Sequence, residues 1–165
     1  QLFMAGNYEQ ALNGDGTNAG FLQIIDEFGS TPSGNIARLY AGLCYANLGK
    51  WAEAEKSLDA VSSKDDEMIS PAAQAALGDA YAHLNKLDDA VAAFKKAASM
   101  ADSKAEDDAN NSLSPAFLIK AGEILESQNK KAEALSIYQD IKKKYVNSML
   151  VQSSEIDKYI ERASN

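Results

Sequence analysis

The sequence predicts an all-α protein built from pairs of antiparallel helices, and three observations support this fold class. Alanine, the residue with the highest helix propensity, occurs 28 times among 165 residues. Alternation of apolar and polar residues, which is typical of β-strands, is nearly absent. A fixed spacing of small and bulky residues recurs three times along the chain, as it does in proteins built from helical repeats.

The recurring unit places a small residue 12 positions after a glycine and a bulky residue 4 positions after that. The glycines are Gly42, Gly78 and Gly122, the small residues are Ala54, Ala90 and Ala134, and the bulky residues are Leu58, Phe94 and Tyr138. The glycines are each followed three positions later by Tyr45, Tyr81 and Leu125. A glycine inside a helix costs about 1 kcal/mol relative to alanine. Three such glycines at one position therefore indicate that a second helix crosses close to each of them.

The periodicity predicts helical structure at Tyr8–Leu12 and helices over 20–28, 35–48, 51–62, 71–84, 87–101, 115–128, 131–145 and 148–163. Because serine followed by proline is a common helix start, we expect Ser70 and Ser114 to cap the second and third units. The turns contain Gly49, Asn85 and Asn129, which tolerate a left-handed backbone. One apolar stripe on the closing helix is formed by Met149, Ile156, Tyr159, Ile160 and Ala163.

These spacings resemble the tetratricopeptide repeat (TPR) family, whose pattern of about 34 residues has glycine, tyrosine, alanine and phenylalanine at the corresponding places. The resemblance implies an α-solenoid, a right-handed superhelix of antiparallel helix pairs. We expect a single TPR domain over residues 1–165, with about three full repeats, a partial N-terminal repeat and a capping helix. The expected bounds are 1–33 for the partial repeat, which a polar loop breaks, then 34–68, 70–113 and 114–147, and 148–163 for the capping helix.

The register of the repeats leaves the N-terminal unit without most of its first helix, and we expect the natural chain to be longer there. The broken repeat and the segment Phe28–Pro32 resemble membrane-anchored bacterial repeat proteins related to the ancillary subunit of the Sec translocon. This resemblance implies an N-terminal anchor absent from this chain and a location on the extracytoplasmic (periplasmic) side, with a cytoplasmic location as the alternative. Without that first helix, we expect the side chains of Phe3, Tyr8, Phe21 and Ile25 to be uncovered, which would promote a homodimer.

The charge balance disfavours nucleic acid as a partner, because 16 basic and 24 acidic residues give a net charge of −8. The basic run Lys142–Lys144, with Lys130 and Lys131 upstream, is interpreted as the solvated last turn of a helix. No apolar run is long enough for a membrane helix, so we do not expect this segment to insert into a bilayer.

The sequence offers few groups for chemistry. With one cysteine, Cys44, and one histidine, His83, it has no internal disulfide framework and no cysteine-built zinc site. The segment Gly14–Gly20 lacks the preceding strand of a dinucleotide loop, and a calcium loop over 15–26 would lack side-chain oxygens at a ligand position. The acidic runs at 65–67 and 106–108 are interpreted as solvated. We expect no cofactor, no metal ion and no enzymatic activity.

The expected binding site is the concave groove that the first helices of stacked repeats line. The candidate residues are Leu39, Tyr40, Leu43, Asn47, Asp79, His83, Lys120 and Glu123, with Glu126 beside them. Members of the family that grip a carboxylate use several lysines, arginines and asparagines at such positions, whereas this set holds one lysine, one asparagine and three acids. A mixed apolar and acidic groove suits an apolar or basic segment, with Tyr40 and Leu43 as anchors. In the alternative, these side chains pack within the superhelix and another face binds.

The predicted function is that of a non-catalytic protein–protein interaction scaffold, which binds a partner protein or peptide in an envelope or chaperone-like assembly. The first alternative is an architectural module that associates with itself. The second is a metal-binding or enzymatic domain.

Overall fold

The computed structural model describes residues 1–62 and 69–165, and in these ranges all regular secondary structure is α-helical, which confirms the all-α class. The described helices are α1 (Tyr8–Asn13), α2 (Phe21–Phe28), α3 (Pro32–Asn47), α4 (Trp51–Asp59), α5 (Ile69–His83), α6 (Leu87–Asp102), α7 (Ser114–Ser127), α8 (Lys131–Lys144), α9 (Met149–Gln152) and α10 (Glu155–Ser164). Across residues 1–62 and 69–165, none of these helices combines the length and the apolar character that crossing a membrane requires.

The chain divides into two compact units, Gln1–Asn85 and Lys86–Asn165. In the first unit, α3 packs against α1, α2 and α4, and α4 packs against α5. In the second unit, α7 packs against α6 and α8, and α8 packs against α10. Helices that follow one another in sequence thus pack as pairs, as in an α-solenoid. A single domain over 1–165 and the five segment bounds remain predictions.

A bulky side chain occupies the space beside one buried repeat glycine in each unit, Gly42 in the first and Gly122 in the second. A Cβ atom on Gly42 would lie 2.5 Å from Leu58 Cγ, and one on Gly122 would overlap the ring of Tyr138. Leu58 and Tyr138 are 2% and 0% exposed, so these close contacts lie in the cores. The paired helices approach this closely because the glycine has no side chain.

The turns after the first helices have the predicted left-handed backbone. The φ angles are 72° at Gly49, 59° at Asn85 and 60° at Asn129. After α7, the backbone N–H of Lys130 donates to the carbonyl of Leu125 at 2.8 Å, which satisfies a carbonyl that the end of the helix would leave unpaired.

The predicted serine caps are wrong. Helix α5 begins at Ile69, so Ser70 lies within it, and α7 begins at Ser114 with no side-chain cap. The Ser114 hydroxyl instead lies 2.6 Å from a carboxylate oxygen of Asp102, a stronger acceptor than a backbone group. Thr31 does cap α3, since its Oγ1 accepts a hydrogen bond from the backbone N–H of Gly34 at 3.2 Å.

The closing helix predicted over 148–163 is two helices, α9 and α10, because Ser154 adopts a left-handed backbone with φ of 59°. Ile156 and Ala163 of the predicted stripe are buried at 0% and 5% exposure. Met149 is 80% exposed and does not belong to the buried stripe. The break at Ser154 interrupts the helical register that would have kept Met149 on the same face.

Replacement of Gly122 by alanine should lower the free energy of unfolding by about 1–2 kcal/mol. Overpacking of a core costs about 1–3 kcal/mol, and the gain in helix propensity of about 1 kcal/mol offsets part of it. Thermal unfolding followed by circular dichroism measures the effect. The control is the same change in a Tyr138→Ala background, where the added methyl group has room and the loss should disappear. An equal loss in both backgrounds would contradict the close contact.

Candidate partner-binding surfaces

Helix α3 carries four of the predicted groove residues, and the structure gives them different environments. Leu39 is 7% exposed and packs in the core with Ala54 of α4 and Leu77 of α5. Little of the Leu39 side chain is therefore left for a partner, and its place in a partner-binding groove stays a prediction. Leu43 is partly buried against the same cluster. Asn47 is exposed at the end of α3, where its Nδ2 donates to the carbonyl of Leu43 at 2.8 Å.

Tyr40 is 37% exposed and belongs to an aromatic cluster. Its ring stacks on that of Phe21 with centroids 5.4 Å apart, and the edge-to-face partner Phe3 lies at 5.1 Å. Phe3 also contacts the ring of Tyr8 at 5.7 Å. The side chains of Phe3, Tyr8, Phe21 and Ile25 are partly buried around the core of the first unit. The expectation that these four lack cover was wrong, since they pack on one another and on α3.

His83 lies at the exposed end of α5 and stacks on Trp51, the first residue of α4. The two rings are 3.7 Å apart between centroids and only 3° from parallel. Asp79, one turn earlier on α5, is partly buried. Trp51 is not among the predicted site residues, because only the packing of α4 on α5 brings it to His83.

The predicted residues of the second unit lie on α7. Lys120 is exposed, with its Nζ 5.2 Å from the centroid of the Phe94 ring. Glu123 has a side chain that is 48% exposed, and Oε1 lies 3.9 Å from a terminal nitrogen of Arg162 on α10.

Glu126, one turn further along α7, joins three helices of the second unit. Arg162 pairs with both carboxylate oxygens, with 3.0 Å between Nε and Oε1, and the Tyr138 hydroxyl donates to Oε2 at 2.7 Å. The hydrogen bond from Arg162 lowers the pKa of Glu126, so this carboxylate stays charged. The repeat spacing gave no sign of Arg162, which follows the last repeat.

In the glycine-rich segment between α1 and α2, the carboxylate of Asp15 is hydrogen-bonded within its own turn. Asp15 Oδ1 accepts backbone N–H bonds from Asn18 at 2.7 Å and Thr17 at 2.9 Å, and the bond from Asn18 lowers the pKa of Asp15. The segment follows the helix α1, not a strand, and Asp26 lies within α2. In residues 1–62 and 69–165, no three His, Cys, Asp or Glu side chains are grouped closely enough to hold a metal ion.

Cys44 has no access to a substrate. Its side chain is 0% exposed, and burial raises the pKa of the thiol to about 11. The neutral thiol is a poor nucleophile, so Cys44 acts as a small apolar side chain of the first core.

Two lysines of the basic run on α8 are engaged in ion pairs. Lys142 Nζ lies 2.7 Å from Asp157 on α10, and Lys144 Nζ lies 2.6 Å from Asp102 on α6. Lys130 pairs with Asp88 at 2.9 Å. The predicted acidic run at 106–108 is exposed, whereas the run at 65–67 lies outside the described residues.

Asp102 is a buried carboxylate, 7% exposed, beside a cavity of about 380 Å³. Its Oδ2 accepts hydrogen bonds from Lys144 and the Tyr145 hydroxyl at 2.6 Å each, and its Oδ1 accepts one from the backbone N–H of Asn110 at 2.9 Å. Burial alone would raise the pKa of Asp102, but the hydrogen bonds from Lys144, Ser114 and Tyr145 outweigh it and lower the pKa. A carboxylate so fully occupied is structural, since it has no free lone pair directed at a substrate.

Replacement of Asp102 by asparagine should lower the free energy of unfolding by about 2 kcal/mol at pH 7, because hydrogen bonds to a charged acceptor are lost. The pKa is lower in the folded state, so the carboxylate stabilises the fold above its unfolded pKa of about 3.9. This contribution disappears as the pH falls through the folded pKa. The difference between the two proteins should therefore shrink below about pH 4 in urea unfolding.

The exposed Asp140 of α8 offers a matched control. Asp140→Asn should change the free energy of unfolding by less than about 0.5 kcal/mol. If Asp102→Asn behaves in the same way at pH 7, Asp102 does not hold these segments together.

Comparison with known proteins assigns the chain to a family. The family model described as T7SS, ESX-1 secretion system protein EccA1, N-terminal domain, matches residues 4–153. No curated protein matches the chain. The matched domain is a TPR-like helical domain and a non-catalytic part of EccA1. The match gives no support to a membrane anchor or a periplasmic location. The match covers every described helix but α10, and the chain belongs to the family of the EccA1 N-terminal domain.

Proposed function

We propose that this chain is a non-catalytic TPR domain that binds a partner protein within a secretion system of the kind to which EccA1 belongs. The observation that carries the proposal is the match of residues 4–153 to a domain of a secretion-system protein. The TPR-like character of that domain agrees with the spacing of Gly42, Gly78 and Gly122 in this sequence. Stacked helix pairs present extended surfaces, and recognition of other proteins is the use such surfaces have.

The state of the chemically active side chains supports binding over catalysis. Cys44 is buried and protonated, Asp102 is occupied by structural hydrogen bonds, and Glu126 is held by Arg162 and Tyr138. These groups rigidify the helix pairs and leave no acid, base or nucleophile of this set poised for a reaction.

The cytoplasm is the location that we propose. EccA1 is a cytoplasmic component of its secretion system, which agrees with the alternative left open by the sequence. A cytoplasmic domain also agrees with the free thiol of Cys44, because thiols stay reduced in that compartment.

The surfaces that we propose for binding lie on the first helices of the pairs. In the first unit, Tyr40 and Leu43 are the apolar anchors and Asn47 is the exposed polar neighbour, with Asp79 and His83 on α5. In the second unit, the corresponding residues on α7 are Lys120 and Glu123.

Site-specific photo-crosslinking in cells tests this proposal. A photoreactive amino acid at Asn47 should give a crosslinked product larger than the chain, because Asn47 is exposed at the end of α3. The control position is Glu53, which is also exposed but lies on α4, the second helix of the pair. Tyr40→Ala should reduce the yield at Asn47 several-fold, whereas Tyr40→Phe retains the ring and should not. A thermal melt of each variant reports the stability of the aromatic cluster separately.

A second measurement distinguishes a foreign partner from self-association. Light scattering of the purified chain at two concentrations should give the mass of a monomer at both. A crosslinked product that is a second copy of the chain, together with a mass that rises with concentration, would favour the architectural module. No crosslink from Asn47 above that from Glu53 would refute the proposed surface of the first unit.

A further inference from the structure

The stack of His83 on Trp51 joins the end of α5 to the start of α4 within the first unit. The two ring centroids are 3.7 Å apart and the ring planes are 3° from parallel. Neutral aromatic rings prefer edge-to-face or offset pairs with centroids about 4.5–7 Å apart. Phe21 and Tyr40 of the same unit, for example, have centroids 5.4 Å apart. The contact between His83 and Trp51 is therefore unusually close for two neutral rings.

A protonated imidazole suits this geometry better than a neutral one. The face of an indole ring carries a negative potential, and tryptophan is the aromatic side chain that attracts cations most strongly. Two neutral ring faces repel one another where they overlap. A flat cation on the indole face replaces that repulsion with attraction, so the stack should strengthen when His83 takes up a proton.

The place of His83 on α5 favours the same protonation state. His83 is the last residue of α5, and the unpaired carbonyls at the end of a helix stabilise a positive charge. Asp79 comes four residues before His83 on α5, and Glu55 comes four residues after Trp51 on α4. At this spacing each carboxylate lies on the helix face that carries one of the two rings. Both negative charges favour an imidazolium between the helices.

Two ammonium groups near the rings act in the opposite direction. Lys50 directly precedes α4, and Lys86 comes three residues after the end of α5. Both lysines are exposed, so water and salt screen their charges.

The remaining helix that packs against α5 adds little charge at this point. Arg38 is the charged residue of α3, and it lies nine residues before the end of that helix. Tyr45 of α3 and Tyr81 of α5 pack on the same core cluster as Trp51, and tyrosines ordinarily titrate at about pH 10. Histidine is therefore the side chain here whose charge changes near neutral pH.

We propose that His83 and Trp51 form a pH-sensitive contact that holds α4 and α5 together when His83 is protonated and weakens when the proton is lost. The added stability is present below about pH 6.5, where a histidine in an unfolded chain is protonated. It is lost as the pH rises and His83 of the folded chain releases its proton. The contact lies between two helices of the first unit, so the inference does not depend on the proposed partner.

Fluorescence of the purified chain of residues 1–165 gives the first test, because the chain has one tryptophan and one histidine. A protonated imidazole in contact with an indole ring quenches its emission more strongly than a neutral imidazole does. The emission of Trp51 should therefore fall as the pH is lowered from about 8 to about 5.5. His83→Gln removes the imidazole and should abolish this fall.

A double-mutant cycle measures the strength of the contact. The chain, Trp51→Leu, His83→Gln and the double variant are unfolded in urea at the same two pH values and followed by circular dichroism. The coupling between the two residues should change the unfolding equilibrium constant by about threefold or more at the lower pH, and by clearly less at the higher pH.

His83→Phe is the matched control, because phenylalanine keeps a flat ring on Trp51 without the charge. Urea unfolding of this variant is followed by the emission of Trp51, which reports on the first unit. Its urea midpoint should match that of the unchanged chain at about pH 8 and lie below it at about pH 5.5. This comparison decides the proposal even if Trp51→Leu does not fold.

Three results would overturn the proposal. They are a coupling that is equal at both pH values, a coupling that grows as the pH rises, and a His83→Phe variant as stable as the unchanged chain at both. Asp79→Asn tests the rival explanation. If it abolishes the pH-dependent effect of His83 while Trp51→Leu leaves that effect intact, the carboxylate holds the imidazolium and the role of Trp51 is wrong. Crosslinking from Asn47 decides the proposed function separately.

Discussion

The close crossing of paired helices at a buried glycine is the constraint on which each unit depends. At Gly42 and Gly122 the missing side chain is replaced by Leu58 and Tyr138 of the partner helix, and any added atom would overlap them. A glycine within a helix is intrinsically unfavourable, and the close packing that it permits offsets this cost. Once this distance is set, neighbouring alanines such as Ala134, at 0% exposure, fill the remaining interface.

One buried and one partly buried carboxylate hold the parts of the second unit that the repeats do not specify. Asp102 connects the end of α6 with the connection before α7 and with the end of α8, and Glu126 connects α7 with Tyr138 and Arg162. A buried charge is tolerated only when several donors satisfy it, and both carboxylates meet this condition. The same hydrogen bonds that keep these carboxylates ionised also occupy their oxygens. Both are therefore structural groups, and neither is placed for acid–base chemistry.

The distribution of charge connects the fold with the kind of partner it suits. Lys130, Lys142 and Lys144 are paired with carboxylates of their own unit. Acidic side chains such as Glu123 and Glu155 remain exposed. A surface of this sign favours contact with positively charged groups. Membership of a secretion-system family agrees with a domain whose surfaces serve recognition.

The all-α class, most of the helices and the left-handed turns at Asn85 and Asn129 were predictable from the sequence, because they depend on spacing and on intrinsic backbone preferences. Spacing also located the close crossings at Gly42 and Gly122. Which helix faces are covered depends on the packing of the chain: Leu39 and Tyr40 are neighbours on α3, yet α4 and α5 bury Leu39 while Tyr40 stays partly exposed. In the folded chain the Ser114 hydroxyl binds Asp102 and does not cap a helix, and a pocket lies beside Met149. Periodicity is local and can be read along the chain, whereas burial and hydrogen-bond partners depend on residues far away in sequence.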